Sequence, residues 1–278
     1  MMALVLIPLA IGGSAAPADA GEAGEVHIQT TKTGVRFGTW GGPESGPAPA
    51  LVILAKSIEG TLGEDYFRQA GRTLGDPQAA EPFLCVSIDL PCHGQELRPG
   101  EPPELAGWRH RLEQGEDPVA DTAGRLADVL DHLIAAGRID AGRIAVIGTS
   151  RGGFMALHVA ARDPRIACVV SYAPVTDLAA LREFHGAESL PAVRAASLGE
   201  QAKRLAGRPV WITIGGNDDR VGTDKAIAFA AAVHAAAVAR KTRDRLSFIV
   251  DGEVDGHTTP PAAAIASAAW IQRILSAR

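Results

Sequence analysis

Six short runs rich in Val and Ile, at residues 51–55, 83–90, 143–147, 167–172, 210–215 and 246–250, recur along the chain. They lack the apolar-polar alternation of half-exposed strands, which marks strands covered on both faces. Helical patterns at about residues 66–74, 119–136, 154–162 and 223–240 fall between them, and one at 261–276 follows the last. Strand and helix alternating in this order predict a mostly parallel twisted sheet with helices on both faces. Ahead of it, residues 26–31 and 34–40 read as an antiparallel hairpin turning at Lys32-Thr33. A dinucleotide-binding fold shares the alternation, but no G-x-G-x-x-G follows the first run of the parallel series.

A chain of 278 residues with this pattern is expected to form one α/β domain over residues 21–278. Two connections, residues 91–118 and 175–209, are longer than a crossover needs and are expected as loop insertions bordering a ligand crevice. Residues 1–11 are nearly all apolar and lead to Ala18-Asp19-Ala20, the order of a signal peptide and its cleavage site. Export to the periplasm or medium is therefore expected. The alternative is a cytoplasmic protein, because no Lys or Arg precedes the apolar run. No other segment reaches the roughly 18 apolar residues of a membrane span. A net charge of -5 without a basic run gives no footprint for nucleic acid. Cys85, Cys92 and Cys168 lie in or beside apolar runs without metal-ligand spacing, and are expected as buried free thiols. No metal and no organic cofactor is implied.

The sharpest motif is Gly148-Thr149-Ser150-Arg151-Gly152, between a strand-like run and a helical pattern. This is the setting of a nucleophile elbow, in which flanking glycines permit a tight turn that lifts the serine hydroxyl clear of the backbone. The backbone N–H of the following residue, Arg151, is then one oxyanion donor.

With Gly216-Asn217-Asp218-Asp219-Arg220-Val221 and Asp255-Gly256-His257, the elbow resembles the α/β-hydrolase superfamily, and within it the prolyl-oligopeptidase and dienelactone-hydrolase branches. The resemblance runs from about residue 26 to the end. It implies the chain order nucleophile, acid, histidine, with Ser150 as nucleophile, His257 as base and Asp218 as acid; Asp219 stays open as the alternative acid. His132, His158 and His234 fall inside helical patterns, and His27, His110 and His185 lie away from the slot after the last strand. The second oxyanion donor belongs in the loop after residues 51–55. There Ala55-Lys56-Ser57-Ile58-Glu59-Gly60 departs from the usual His-Gly-rich stretch, so the amides of Lys56 and Ser57 are both candidates.

Asp89-Leu90-Pro91-Cys92-His93-Gly94 matches a D-x-P-x-H-G turn that many α/β-hydrolases carry, which implies that Asp89 and His93 brace the crevice edge. His93 and Trp108 are expected to line the substrate pocket, with Arg98, Arg109 and Arg111 as further contacts. A similar Gly-x-Ser-Arg elbow occurs in glucuronoyl esterases, where the arginine side chain helps hold the oxyanion.

The expected reaction is cleavage of a small-molecule carboxylic ester through an acyl-enzyme. The alternatives are a serine peptidase of prolyl-oligopeptidase type and a non-catalytic hydrolase fold used for binding. The larger peptidases of that group carry a propeller domain for which 278 residues leave no room, so ester cleavage is preferred.

Overall fold

A computed structural model describes residues 24–76 and 78–276, so the leader expected at residues 1–20 lies outside the described part. The strands are β1 (His27–Thr30), β2 (Arg36–Trp40), β3 (Ala48–Leu54), β4 (Leu84–Ser87), β5 (Ile139–Thr149), β6 (Ile166–Tyr172), β7 (Val210–Asn217) and β8 (Leu246–Asp255). They form one sheet in the order β1-β2-β4-β3-β5-β6-β7-β8. β1 pairs antiparallel with β2 and β2 antiparallel with β4, while every pairing from β4 to β8 is parallel. This is the expected sheet with its antiparallel hairpin.

Because successive side chains of a strand point to opposite faces, β3 feeds two apolar layers. Leu51 and Ile53 pack with Ile58 and Leu62 of α1 (Ile58–Gly63), Leu74 of α2 (Asp65–Leu74) and Ile271 of the last helix. Ala50, Val52 and Leu54 face the other way. They join Trp108 of α3 (Glu104–Glu113), Leu126 and Leu130 of α4 (Pro118–Ala135), and Phe154 of α5 (Arg151–Arg162).

The two long connections are more ordered than loops. Residues 91–118 contain a 3-10 turn at Gly94–Glu96 and then α3, whose Leu105, Trp108 and Leu112 form one buried stripe. Residues 175–209 hold 3-10 turns at Leu178–Ala180, Arg182–Phe184 and Leu198–Gln201, with the short helices α6 (Pro191–Ala195) and α7 (Ala202–Leu205). The chain then continues through α8 (Thr223–Ala239) to α9 (Ala263–Ser276).

β8 also differs from expectation. The run read from the sequence ends at residue 250, yet the ladder continues to an Asn217–Asp255 pair through an irregular register. Gly215 and Gly216 make this approach feasible: a Cβ on Gly215 would sit 2.7 Å from Val254 O, and one on Gly216 3.1 Å from Gly252 Cα. Among the described residues, no helix is long and apolar enough to cross a membrane.

Candidate active site

Ser150 stands between the end of β5 and the start of α5 with φ 55° and ψ -116°. A non-glycine residue held there stores strain on the order of 1–3 kcal/mol, which persists only if the surroundings over-determine it. They do. Its N–H donates to Tyr172 O (2.8 Å), and its carbonyl accepts from Phe154 N (3.1 Å) and Val175 N (3.2 Å). The flanking glycines are required by close approach: a Cβ on Gly148 would fall 2.1 Å from Gly152 O, and one on Gly152 1.8 Å from Leu54 O. The elbow is thus wedged against the end of β3.

β7 delivers Asp218 and β8 delivers His257 to the same edge of the sheet. His257 Nδ1 lies 2.8 Å from Asp218 Oδ2 and Nε2 lies 2.9 Å from Ser150 Oγ. Asp218 is 2% exposed, and a buried carboxylate needs donors. Its Oδ1 accepts from the amides of Arg220 (3.1 Å) and Val221 (3.2 Å). With the acid on one ring nitrogen, Nδ1 carries the proton and Nε2 is left to accept from the serine hydroxyl. Asp219, the alternative acid, is exposed. Sequence reading missed two groups that hold this frame. Thr223 Oγ1 donates to Gly215 O (2.8 Å) and accepts from Asp218 N (3.0 Å). Tyr66 Oη accepts from Thr259 N (3.1 Å), steadying the loop that carries His257.

The Arg151 amide opens α5, where a helix leaves its first N–H groups without an intrahelical partner. The Lys56 amide is not free: it donates to Thr61 Oγ1 at 3.0 Å, which removes it from the two candidates for the second oxyanion donor. Ser57 caps α1, its Oγ accepting from Gly60 N (3.2 Å). Its own amide has no partner among the described residues.

The D-x-P-x-H-G turn is braced as expected. Asp89 Oδ1 accepts from Ile58 N (2.8 Å), and Oδ2 from Gln95 N (3.1 Å) and Arg36 Nη1 (3.0 Å). His93 is 7% exposed, with Nδ1 2.9 Å from Pro91 O and Nε2 3.0 Å from Arg151 Nη1. It reaches the site only through Arg151. Burial draws its pKa below the ordinary value, which keeps the ring neutral.

Trp108 is a correction. It is fully buried, donates from Nε1 to Pro91 O (2.7 Å) and packs against Phe154, so it anchors α3 in the core and presents no surface to a solvent-open crevice. The nearby arginines are likewise engaged within the fold: Arg98 with Glu116, Arg111 with Glu101, and Arg109 with the carbonyls of Glu183 (3.2 Å) and His185 (2.9 Å). The three cysteines are buried, and none forms a disulfide among the described residues. Desolvation pushes the Cys92 thiol up to about 11 and that of Cys85 to about 12, away from nucleophilic character. Among the described residues, no group of three or more His, Cys, Asp or Glu side chains is arranged to hold a metal ion.

A family model described as the prolyl oligopeptidase family matches residues 108–253, a stretch that holds Ser150 and Asp218 and stops short of His257. Quorum-quenching protein AidA of Acinetobacter baumannii (strain MDR-ZJ06) is 29% identical over 135 residues, 49% of this chain and 38% of that protein. The aligned stretch thus spans well under half of that relative. Among solved structures, TT1662 from Thermus thermophilus has a TM-score of 0.67 at 19% identity, covering 91% of this chain and 100% of that one. A cold-adapted esterase from an Arctic intertidal metagenomic library has a TM-score of 0.61 at 19% identity, covering 92% and 98%. At these identities the two structures share the fold with this chain.

Proposed function

The chain belongs to the prolyl oligopeptidase family, whose α/β-hydrolase fold it has, and from that premise we propose that it cleaves a carboxylic ester through an acyl-enzyme on Ser150. The observation that carries this reading is the continuous chain of hydrogen bonds from Ser150 Oγ through His257 to the buried Asp218. Ser150 Oγ attacks the ester carbonyl while its proton passes to His257 Nε2. Asp218 holds the ring and stabilises the imidazolium. The Arg151 and Ser57 amides hold the developing oxyanion. Collapse of the tetrahedral adduct expels the alcohol, which takes the proton back from His257. A water molecule then attacks the acyl-enzyme by the same route in reverse, releasing the acid and restoring Ser150.

An ester as substrate draws support from the esterase that matches this chain over almost its whole length. Peptide cleavage is the second reading, favoured by the family's own description. The test is turnover of short acyl p-nitrophenyl esters by the wild type and by Ser150→Ala, with p-nitroanilides of the same acyl groups beside them. The variant is expected to lose on the order of 10⁴–10⁶-fold in kcat. Undiminished turnover would remove Ser150 from the reaction, and faster cleavage of the anilides would favour the peptidase.

A further inference from the structure

The acyl-transfer chemistry uses only the backbone of Arg151. Its side chain is 23% exposed and takes both of its protein contacts through one terminal nitrogen: Nη1 lies 3.0 Å from His93 Nε2 and 2.8 Å from Glu104 Oε2. Nε and Nη2 donate no hydrogen bond among the described residues.

The His93 ring and the Glu104 backbone are both fixed. His93 is buried and its Nδ1 is tied to the Pro91 carbonyl, so Nε2 is a lone-pair acceptor for the guanidinium. Glu104 starts α3 at φ 59°, a left-handed backbone that a glutamate keeps only under constraint, and its amide donates to Cys92 O at 3.1 Å. The contact with Arg151 holds its carboxyl below the usual range, so Glu104 stays ionised.

The arginine is therefore anchored at one tip with its Nε–Nη2 edge unspent. That edge is the one through which a guanidinium grips a carboxylate by two parallel hydrogen bonds, a geometry that lysine cannot supply. It lies on the residue next to Ser150. His93 follows β4 and Ser150 follows β5, so both stand at the carboxyl ends of parallel strands, where open α/β sheets bind ligands.

We propose that the Nε–Nη2 edge of Arg151 reads a carboxylate carried on the acyl part of the substrate, making half-esters of dicarboxylic acids the preferred substrate class. The inference rests on Ser150 being the nucleophile. Glu104 limits the site to a single negative charge, because a dianion such as a phosphate monoester would meet its carboxylate as well.

The experiment compares p-nitrophenyl half-esters of succinic, glutaric and adipic acid with the same compounds capped as methyl esters, by kcat/KM. For the best chain length the wild type is expected to favour the free carboxylate at least tenfold. In Arg151→Gln that ratio falls to near one, and Arg151→Lys, which keeps the charge without the fork, lies between. Glu104→Gln, at an exposed position, raises the ratio severalfold by removing the competing carboxylate. A wild-type ratio near one at every chain length overturns the proposal. So does an Arg151→Gln variant that is slower on both substrates with the ratio intact, since that is the signature of a purely structural or oxyanion role. Failure of the underlying reading looks different: Ser150→Ala would then turn over both compounds as fast as the wild type.

Discussion

Arg220 grips Glu183 with both of its terminal nitrogens, Nη2–Oε1 at 2.7 Å and Nη1–Oε2 at 3.1 Å, while its own backbone amide donates to Asp218 Oδ1 at 3.1 Å. One residue thus ties the connection between β6 and β7 to the turn that presents Asp218, the proposed acid. Arg109 of α3 binds the carbonyls of Glu183 and His185 from the other side, so three segments distant in sequence meet around the acid turn.

Removing this clamp is expected to loosen the acid rather than the fold. The pair is partly exposed, at 18% and 26%, so Glu183→Gln is expected to cost roughly 1–2 kcal/mol of stability, below the range for breaking a fully buried pair. The expected kinetic effect is a fall in kcat of about tenfold with KM little changed, because a tilted acid raises the barrier without altering substrate contacts. Michaelis parameters and thermal unfolding of the variant check this, and an unchanged kcat would leave the clamp with a structural role only.

The two neighbouring carboxylates should separate cleanly. Asp218→Asn keeps the shape of the acid and removes the charge that stabilises the imidazolium, so kcat is expected to fall by about 10²–10⁴-fold. Asp219 is exposed, and the hydrogen bond to His257 Nδ1 is made by Asp218 instead, so Asp219→Asn is expected to stay within about threefold of wild type by the usual tolerance of surface sites. Equal losses in both variants would contradict the assignment.

His158 is expected to set part of the acid sensitivity of the fold. It is fully buried, its Nε2 lies 2.9 Å from Ala196 O, and its Nδ1 faces Arg162 Nη1 at 2.7 Å. Desolvation, with the Arg162 charge beside it, pushes its pKa from 6.5 down to about 3. Between those values the unfolded chain binds a proton that the folded protein refuses. Its contribution is therefore fully present above pH 6.5 and is lost as pH falls toward 3, with a slope approaching about 1.4 kcal/mol per pH unit. His158→Gln should flatten the pH dependence of urea midpoints between pH 6.5 and 4. The same slope in variant and wild type would exclude His158 as its source.

Gly152→Ala tests the wedge between the elbow and β3. The added methyl would meet a backbone carbonyl, Leu54 O, at 1.8 Å, and no side-chain rotation can relieve that contact. The loss is expected at or above the top of the ~1–3 kcal/mol range for overpacked sites, seen as a fall in Tm and, if the protein still folds, a larger fall in kcat. Wild-type stability would mean that the approach is looser than the geometry implies.

Much of this was legible in the residues. Five of the Val- and Ile-rich runs mark parallel strands whose two faces leave water, whereas the sixth is the edge strand β8, whose Ile249 and Val250 are exposed; the glycines around Ser150 mark a turn where backbones touch. The buried stripe of Leu105, Trp108 and Leu112 has helical spacing and could have revealed α3 inside the expected loop. Trp108 turns out to be a core anchor where the sequence points to a pocket wall, because an aromatic ring among arginines fits both; only its zero exposure and its bond to Pro91 O decide between them.

The sequence by itself determined the alternation of core strands with their main helices and the elbow, because hydrophobic period and turn chemistry act between residues close in the chain, while the succession of serine, aspartate and histidine was implied by the resemblance those motifs carry. Tertiary structure alone decided which of two adjacent aspartates meets His257, that the Lys56 amide is taken by Thr61, and that Arg151 is held by His93 and Glu104 with one edge left open. Those are contacts through space across the carboxyl edge of the sheet. A side chain's partner there is set by how strands and loops are stacked, and no periodicity in the chain encodes it.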